Sequence, residues 1–106
     1  MSDNWPEGDG ELLTERKTRT RAQKPRRYKV LLHNDHYTTM EFVVMVLVSV
    51  FHKSFFEATR IMLRVHRRGV GVAGVYPKEI AETKVEQVQK MAREAQYPLQ
   101  CTMEPE

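Results

Sequence analysis

The chain has 106 residues, of which 41% are apolar, so it can bury one modest core but not two. Its net charge of +3 comes from residues 1–29, which hold eight Lys or Arg and five Asp or Glu, while the rest is neutral. The lone cysteine, Cys101, excludes an internal disulfide framework and suits a reducing compartment. No stretch approaches the roughly 20 apolar residues of a membrane span, and the acidic start does not look like a signal peptide. We therefore expect a cytoplasmic protein that contacts no membrane.

A disordered arm is predicted over residues 1–25, followed by one folded domain over residues 26–106. The arm has few large apolar side chains, so it cannot bury enough surface to offset its chain entropy. Its basic block, residues 16–21, gives an alternative function, because clustered Lys and Arg bind the phosphates of nucleic acids. No aromatic residues for base stacking are interleaved with the block, which favours a solvated linker, and we expect no nucleic acid partner.

The first predicted strand, residues 28–32, leads through a polar loop into an apolar helix. Thr38 and Glu41 have the spacing of a capping box, which predicts that this helix begins near Thr39 and continues to about His52. The helix is apolar nearly all round, as is typical of a segment surrounded by other elements. The pattern therefore predicts that it is the central and most buried helix.

A second capping box, formed by Ser54 and Glu57, opens the next predicted helix. That helix should end at Gly69, because two arginines precede this glycine and glycine readily takes a left-handed cap. Residues 70–76 are rich in β-branched side chains but contain two glycines, which indicates a strand with a bulge or a close neighbour.

Pro77 fits the first position of a third helix that continues to about Ala95. Residues 99, 101 and 103 then alternate as a final strand. The order strand, helix, helix, strand, helix, strand predicts an α+β fold, a small sandwich in which a three-stranded sheet packs on three helices.

No arrangement of residues indicates catalysis. His33 and His36 have a spacing that zinc ligands can use, but no second pair of matching spacing accompanies them. No nucleophile motif surrounds Cys101 or the few serines, and no phosphate loop is present. We expect no enzyme activity, no metal and no cofactor. Asn34 and Asp35 place acceptors on the loop before the first helix, where the same residues are also favoured because they form turns.

A series of short motifs spans about residues 27 to 104. They are Tyr28-Lys29-Val30, Asn34-Asp35, Tyr37-Thr38, Met40-Glu41-Phe42-Val43, Met62-Leu63, Val65-His66, Gly69, Gly74-Val75, Ala81-Glu82-Thr83-Lys84-Val85, Pro98-Leu99 and Cys101-Thr102. Their identity and order resemble the ClpS family, the adaptors of the bacterial Clp protease. The resemblance needs no gaps, and it implies the fold predicted above with antiparallel strands.

The resemblance also implies a function, which is capture of proteins that begin with Phe, Tyr, Trp or Leu (N-degrons) and their delivery to the ClpA unfoldase of the ClpAP protease. We expect a monomer that uses its flexible arm in this transfer. The family residues for binding the N-terminal amine correspond to Asn34, Asp35, His36 and His66. Those for the side-chain pocket correspond to Leu32, Thr38, Met40, Val43, Met62, Val65 and Leu99, and those for docking on ClpA to Glu79 and Lys84.

Helical spacing is consistent with this site. Met40 and Val43 share one helix face, and Met62, Val65 and His66 share another, so two facing helices could form the walls of a pocket. Periodicity alone favours an ordinary core for the apolar members, and a histidine on that face is tolerated in a core but not required.

Two residues depart from the family pattern, which usually has a second aspartate in place of His36 and a proline in place of Thr39. Replacing a carboxylate by an imidazole weakens the field that attracts an ammonium group. The departure suggests a narrower ligand set, with the aromatic residues alone as one hypothesis.

Overall fold

The computed structural model describes residues 25–106, so the predicted arm and its basic block lie outside the described residues, apart from Pro25. The elements are β1 (Arg27–His33), α1 (Met40–Ser49), α2 (Phe55–Arg68), β2 (Val70–Pro77), α3 (Lys78–Ala95) and β3 (Gln100–Pro105). The predicted α+β class and element order are confirmed. Among the described residues, no helix is both long enough and apolar enough to cross a membrane.

The sheet has β1 at its centre, paired antiparallel with β2 on one side and with β3 on the other. His33, the last residue of β1, is opposite Val70 and Gln100, so the loop after β1 leaves the sheet beside the start of both neighbours. The loop that carries Asn34 and Asp35 therefore begins at one end of the central strand.

The predicted irregularity in β2 is a β-bulge. Val30 is opposite Gly74 and Leu31 is opposite Val72, which leaves Ala73 as the extra residue. Gly71 also has the predicted close neighbour, because a Cβ added there would lie 2.8 Å from Cγ2 of Val65. The missing side chain lets α2 pack directly on the strand.

The helix caps agree with the sequence to within one residue. Ser54 caps α2 by accepting a hydrogen bond from the amide of Glu57, and Gly69 ends it with a φ of 87° in the left-handed region. The cap of α1 is Thr39 and not Thr38, so the predicted capping box is wrong by one residue. Pro77 likewise precedes the first residue of α3 instead of occupying its first turn.

The expectation that other elements surround α1 on all sides is wrong, although three of its ten residues are buried, a larger fraction than in either other helix. Val43, Val46 and Leu47 are buried, but Met45 and Val48 are 43% and 40% exposed, and α1 ends at Ser49. One face of α1 packs on the core, and no described element covers the other face. The all-round apolar composition therefore marks an exposed apolar surface, which sequence periodicity cannot distinguish from complete burial.

The core lies between the sheet and the helices. Its largest fully buried side chains come from β1, α1, α3 and β3, and they are Leu32, Leu47, Val30, Val46, Val88 and Cys101. Burial of each large aliphatic side chain stabilises the fold by about 1.5–3 kcal/mol. One continuous apolar cluster thus holds the sheet together with α1 and α2.

Burial raises the pKa of the Cys101 thiol to about 12. The thiolate is the reactive form, so the native protein should react with thiol reagents at pH 8 far more slowly than a free cysteine. We expect labelling to follow unfolding, with a rate that rises steeply once urea unfolds the chain. The measurement is the labelling rate against urea concentration, with the unfolding curve as control. Rapid labelling of the folded protein would contradict the burial of Cys101.

Candidate functional site

Asp35 closes the loop between β1 and α1 into a turn. Its Oδ1 accepts hydrogen bonds from the backbone amides of Tyr37 (2.8 Å) and Thr38 (2.7 Å), and its Oδ2 accepts one from the Thr38 hydroxyl (2.8 Å). The Thr38 hydroxyl is engaged with Asp35 and does not cap α1. The cap is Thr39, whose Oγ1 accepts a hydrogen bond from the amide of Phe42 at 3.1 Å. Asp35 therefore has the structural role of a turn former.

The electrostatic state of Asp35 follows from these contacts. Burial alone would raise its pKa, but the amides of Thr38 and Tyr37, the Thr38 hydroxyl and the nearby charge of His36 outweigh burial and lower the pKa below 3.8. The carboxylate remains ionised throughout the neutral and mildly acidic range. The loop thus carries a fixed negative charge.

A backbone hydrogen bond fastens this loop to the end of α2. The amide of Asn34 donates to the carbonyl of Gly69 over 2.9 Å, one step beyond the pairing of His33 with Val70. The contact brings Asn34 to the same cavity as His66, which lies in the last turn of α2. Both side chains are exposed, and within residues 25–106 neither has a hydrogen-bond partner. Their polar atoms are available to a ligand.

A cavity of about 290 Å³ lies between the loop and the two helices. Its volume lies just below the range of about 300–1,000 Å³ typical of ligand pockets, so it can take a group of the size of a single side chain. Asn34, His36 and His66 are exposed and form its polar mouth. Val43 of α1 and Val65 of α2 are buried and form its inner wall. The lining residues are Asn34, Asp35, His36, Thr38, Met40, Val43, Met62, Val65 and His66.

Nine of the eleven residues predicted for the amine site and the side-chain pocket thus meet in one place. The other two, Leu32 and Leu99, do not line the cavity. Leu32 is completely buried and Leu99 is 6% exposed, and both belong to the core. They support the cavity from within the core and do not face it.

The two residues predicted to dock on ClpA have different surroundings. Glu79 is exposed in the first turn of α3. Lys84 is half-buried, its Nζ donates to the carbonyl of Val50 over 2.7 Å, and the same atom lies 5.4 Å from the centre of the Tyr76 ring. Val50 is the C-cap of α1, where a cation is favourable, so Lys84 joins α3 to the end of α1. Sequence reasoning missed this structural contact because it joins distant segments.

Residues 25–106 contain no group of three His, Cys, Asp or Glu that could hold a metal ion. His33 was a candidate zinc ligand by its spacing from His36. Its Nε2 lies 2.7 Å from Oγ1 of Thr102, a contact that joins β1 to β3. With its raised pKa, the buried Cys101 is a protonated thiol at neutral pH and a poor nucleophile.

The family described as "ATP-dependent Clp protease adaptor protein ClpS" matches residues 23–102 of the chain. Two curated relatives are ATP-dependent Clp protease adapter proteins ClpS. That of Desulfatibacillum aliphaticivorans is 61% identical over 106 residues and covers 100% of both chains. That of Lawsonia intracellularis is 56% identical over 98 residues, which are 92% of this chain and 86% of the relative.

A solved structure is also similar. It is that of Agrobacterium tumefaciens ClpS2 bound to L-phenylalaninamide, which superposes with a TM-score of 0.76 at 44% sequence identity. The match covers 78% of this chain and 100% of the other. The relative therefore shares the fold and has been seen with a small ligand that carries a free α-amine and a phenyl side chain.

The role of Asp35 as a turn former gives a prediction about stability. Asp35→Ala removes the acceptor of three hydrogen bonds, and the free energy of unfolding should fall by about 1–2 kcal/mol at pH 7, a range kept low by solvent exposure. Because the pKa of Asp35 is lowered on folding, its contribution is complete above pH 3.8 and is lost as the pH falls through the folded value.

Urea denaturation of wild type and Asp35→Ala at pH 7, pH 4.5 and pH 2.5 measures this contribution. The difference should be the same at the two higher pH values and smaller at the lowest. Asp35→Asn, which keeps one acceptor oxygen but not the charge, should give an intermediate loss. A difference that grows on acidification would contradict this role.

Proposed function

The chain belongs to the ClpS family of ATP-dependent Clp protease adaptor proteins, and from this premise we propose that it is an adaptor that captures proteins through an unblocked N-terminal Phe, Tyr, Trp or Leu residue. The observation that carries the proposal is the cavity that Asn34 and His66, which have no hydrogen-bond partner within residues 25–106, share with four apolar side chains of α1 and α2. A protein's N-terminus has the matching chemistry, since its ammonium group lies directly beside one side chain.

The polar mouth supplies acceptors for the ammonium group. Its three N–H donors can be met by the side-chain oxygen of Asn34 and by a ring nitrogen of His66 in its neutral form. Asp35 already accepts three hydrogen bonds within its turn, so its contribution is chiefly the negative charge. Each hydrogen bond to a charged group contributes about 1.5–3 kcal/mol.

The apolar body receives the first side chain. Met40 and Val43 form one wall and Met62 and Val65 the other, and the cavity of about 290 Å³ leaves room for a single large side chain. The L-phenylalaninamide in the related structure supports this assignment, because it combines the free amine and side chain of an N-terminal Phe with an amide in place of the next peptide bond.

His36 affects how strongly the cavity mouth attracts an ammonium group. It is exposed and lines the cavity at the position where the resemblance implies a second aspartate. An imidazole has no negative charge at any pH, so the attraction for the ammonium group depends on Asp35 alone. We infer weaker binding overall and a preference for the aromatic residues, whose larger apolar contact offsets the weaker field.

Delivery to the ClpA unfoldase is the second half of the proposal. Glu79 is exposed, whereas the ammonium of Lys84 is engaged with the carbonyl of Val50. A variant of Lys84 would therefore disturb the α1–α3 contact as well as any docking surface. Glu79→Lys, which reverses an exposed charge, is the cleaner probe of docking.

The proposed function is tested by titrating a fluorescent peptide that begins with Phe against its N-acetylated twin. Acetylation removes the positive charge and two donors while leaving the phenyl ring unchanged, so we expect the acetylated peptide to bind at least about 100-fold more weakly, equivalent to about 2.7 kcal/mol. Equal binding of the two peptides would rule out recognition of the N-terminus.

The same pair of peptides measured against His66→Ala identifies the acceptor. The free-amine peptide should lose about 1.5 kcal/mol or more, while the acetylated peptide, which lacks the ammonium, should lose little. Circular dichroism of the variant controls for folding. An equal loss for both peptides would assign His66 to the cavity wall instead of the amine site.

Met40 is expected to act as a steric gate. It is 44% exposed at the first position of α1 and lines the cavity, where it can crowd ligands that branch at Cβ. Met40→Ala should therefore raise the affinity for peptides that begin with Ile or Val, relative to Phe, by about 1–3 kcal/mol. Paired titrations of Phe-, Leu-, Ile- and Val-initiated peptides give the ratio. A proportional loss for all four would mean that Met40 is only a packing residue.

A further inference from the structure

An apolar groove runs along the side of α1 and α2 that no described element covers. Three of its side chains, Met45, Val48 and Phe55, are 43%, 40% and 74% exposed. A contiguous exposed apolar surface of this kind marks an interaction site more often than isolated exposed residues do. The groove has a volume of about 570 Å³ and is lined by Met40, Glu41, Val44, Met45, Val48, Ser49, Phe55, Thr59 and Met62.

The groove is continuous with the N-terminus cavity. Met40 of α1 and Met62 of α2 line both, so the two spaces meet at this pair of methionines. A short connection joins α1 to α2, which places the helices antiparallel. The groove therefore extends from the cavity mouth toward Val48 and Phe55.

The length of the groove matches a short peptide segment. From Met40 to Val48 the helix rises about 12 Å at 1.5 Å per residue. An extended chain covers about 3.3–3.6 Å per residue, so the groove accommodates about three or four residues. A polypeptide whose first side chain fills the cavity has its next residues at the entrance to the groove.

The groove is suited chiefly to apolar side chains. The donors of its two hydroxyl groups are already engaged, because Ser49 Oγ donates to the carbonyl of Met45 and Thr59 Oγ1 donates to that of Phe55, both over 2.8 Å. The backbone groups of a helix interior are paired within the helix. Apart from the Glu41 carboxylate, the groove presents methionine, valine and phenylalanine surface, which accepts varied apolar side chains.

We propose that this groove binds the second to about the fifth residue of a captured protein when these are apolar and unfolded. The inference rests on the proposed function, since it takes the entry point from the N-terminus cavity. The substrates it defines have two features, an unblocked large N-terminal residue and an apolar stretch that follows it directly.

The test compares two free-amine peptides that begin with Phe, one continuing with Leu-Val-Leu and the other with Ser-Gly-Ser. L-phenylalaninamide serves as a probe that fills the cavity but does not reach the groove. Wild type should bind the apolar peptide about tenfold more tightly than the polar one. Phe55→Ser and Val48→Gln, both at exposed positions that line only the groove, should remove most of this difference and leave the affinity for L-phenylalaninamide unchanged.

Phe56→Ser is the matched control, because Phe56 is 72% exposed beside Phe55 but does not line the groove. It should leave all three affinities unchanged. Equal binding of the two peptides by wild type would overturn the inference while L-phenylalaninamide still supports the proposed function. Failure of L-phenylalaninamide to bind would overturn both. If sedimentation shows a wild-type dimer that Phe55→Ser converts to a monomer, a second copy of the chain covers the groove and the inference is wrong.

Discussion

The hydrogen bond from the amide of Asn34 to the carbonyl of Gly69 positions the candidate site. It extends the pairing of β1 with β2 by one step beyond His33 and Val70, and it depends on the left-handed conformation of Gly69, which turns the chain from α2 into β2. Residues 34 and 66, far apart in the sequence, consequently meet at one cavity. A residue with a Cβ at position 69 would be strained in this conformation, and the site would lose its anchor.

Within residues 25–106, the site has polar groups that maintain the structure and others that have no hydrogen-bond partner. Asp35 is used within its turn, His33 contacts Thr102, and Lys84 holds the end of α1. These contacts fix the loop and both helices before any ligand is present. Asn34 and His66 can then offer their polar atoms in a prearranged geometry, which lowers the ordering cost of binding.

Apolar side chains of α1 and α2 serve both the core and the site. Val43 and Val65 are buried yet line the cavity, so they serve the core and the site together. Met40 and Met62 lie where the cavity meets the groove. The stability of the domain and its capacity to bind apolar side chains are therefore properties of the same two helices.

Local patterns in the sequence were sufficient for the fold, because caps such as Ser54 and Gly69 and the alternation in β1 depend on neighbouring residues. The helical spacing of Met40 with Val43 and of Met62 with His66 likewise placed them on facing walls. Contacts between distant segments were not accessible in this way. The sequence around Lys84, which donates to the carbonyl of Val50, does not distinguish it from a solvated lysine. The sequence around Leu32 likewise does not indicate whether this side chain lies in the core or faces the cavity.

The most direct measurement of the central claim is a crystal structure of this protein with L-phenylalaninamide. The account predicts an ammonium nitrogen within hydrogen-bond distance, about 2.7–3.2 Å, of the Asn34 side chain and the His66 ring, with the phenyl ring between Val43 and Val65. A phenyl ring in the groove beside Val48 and Phe55, or an ammonium group without contact to Asn34 and His66, would contradict it.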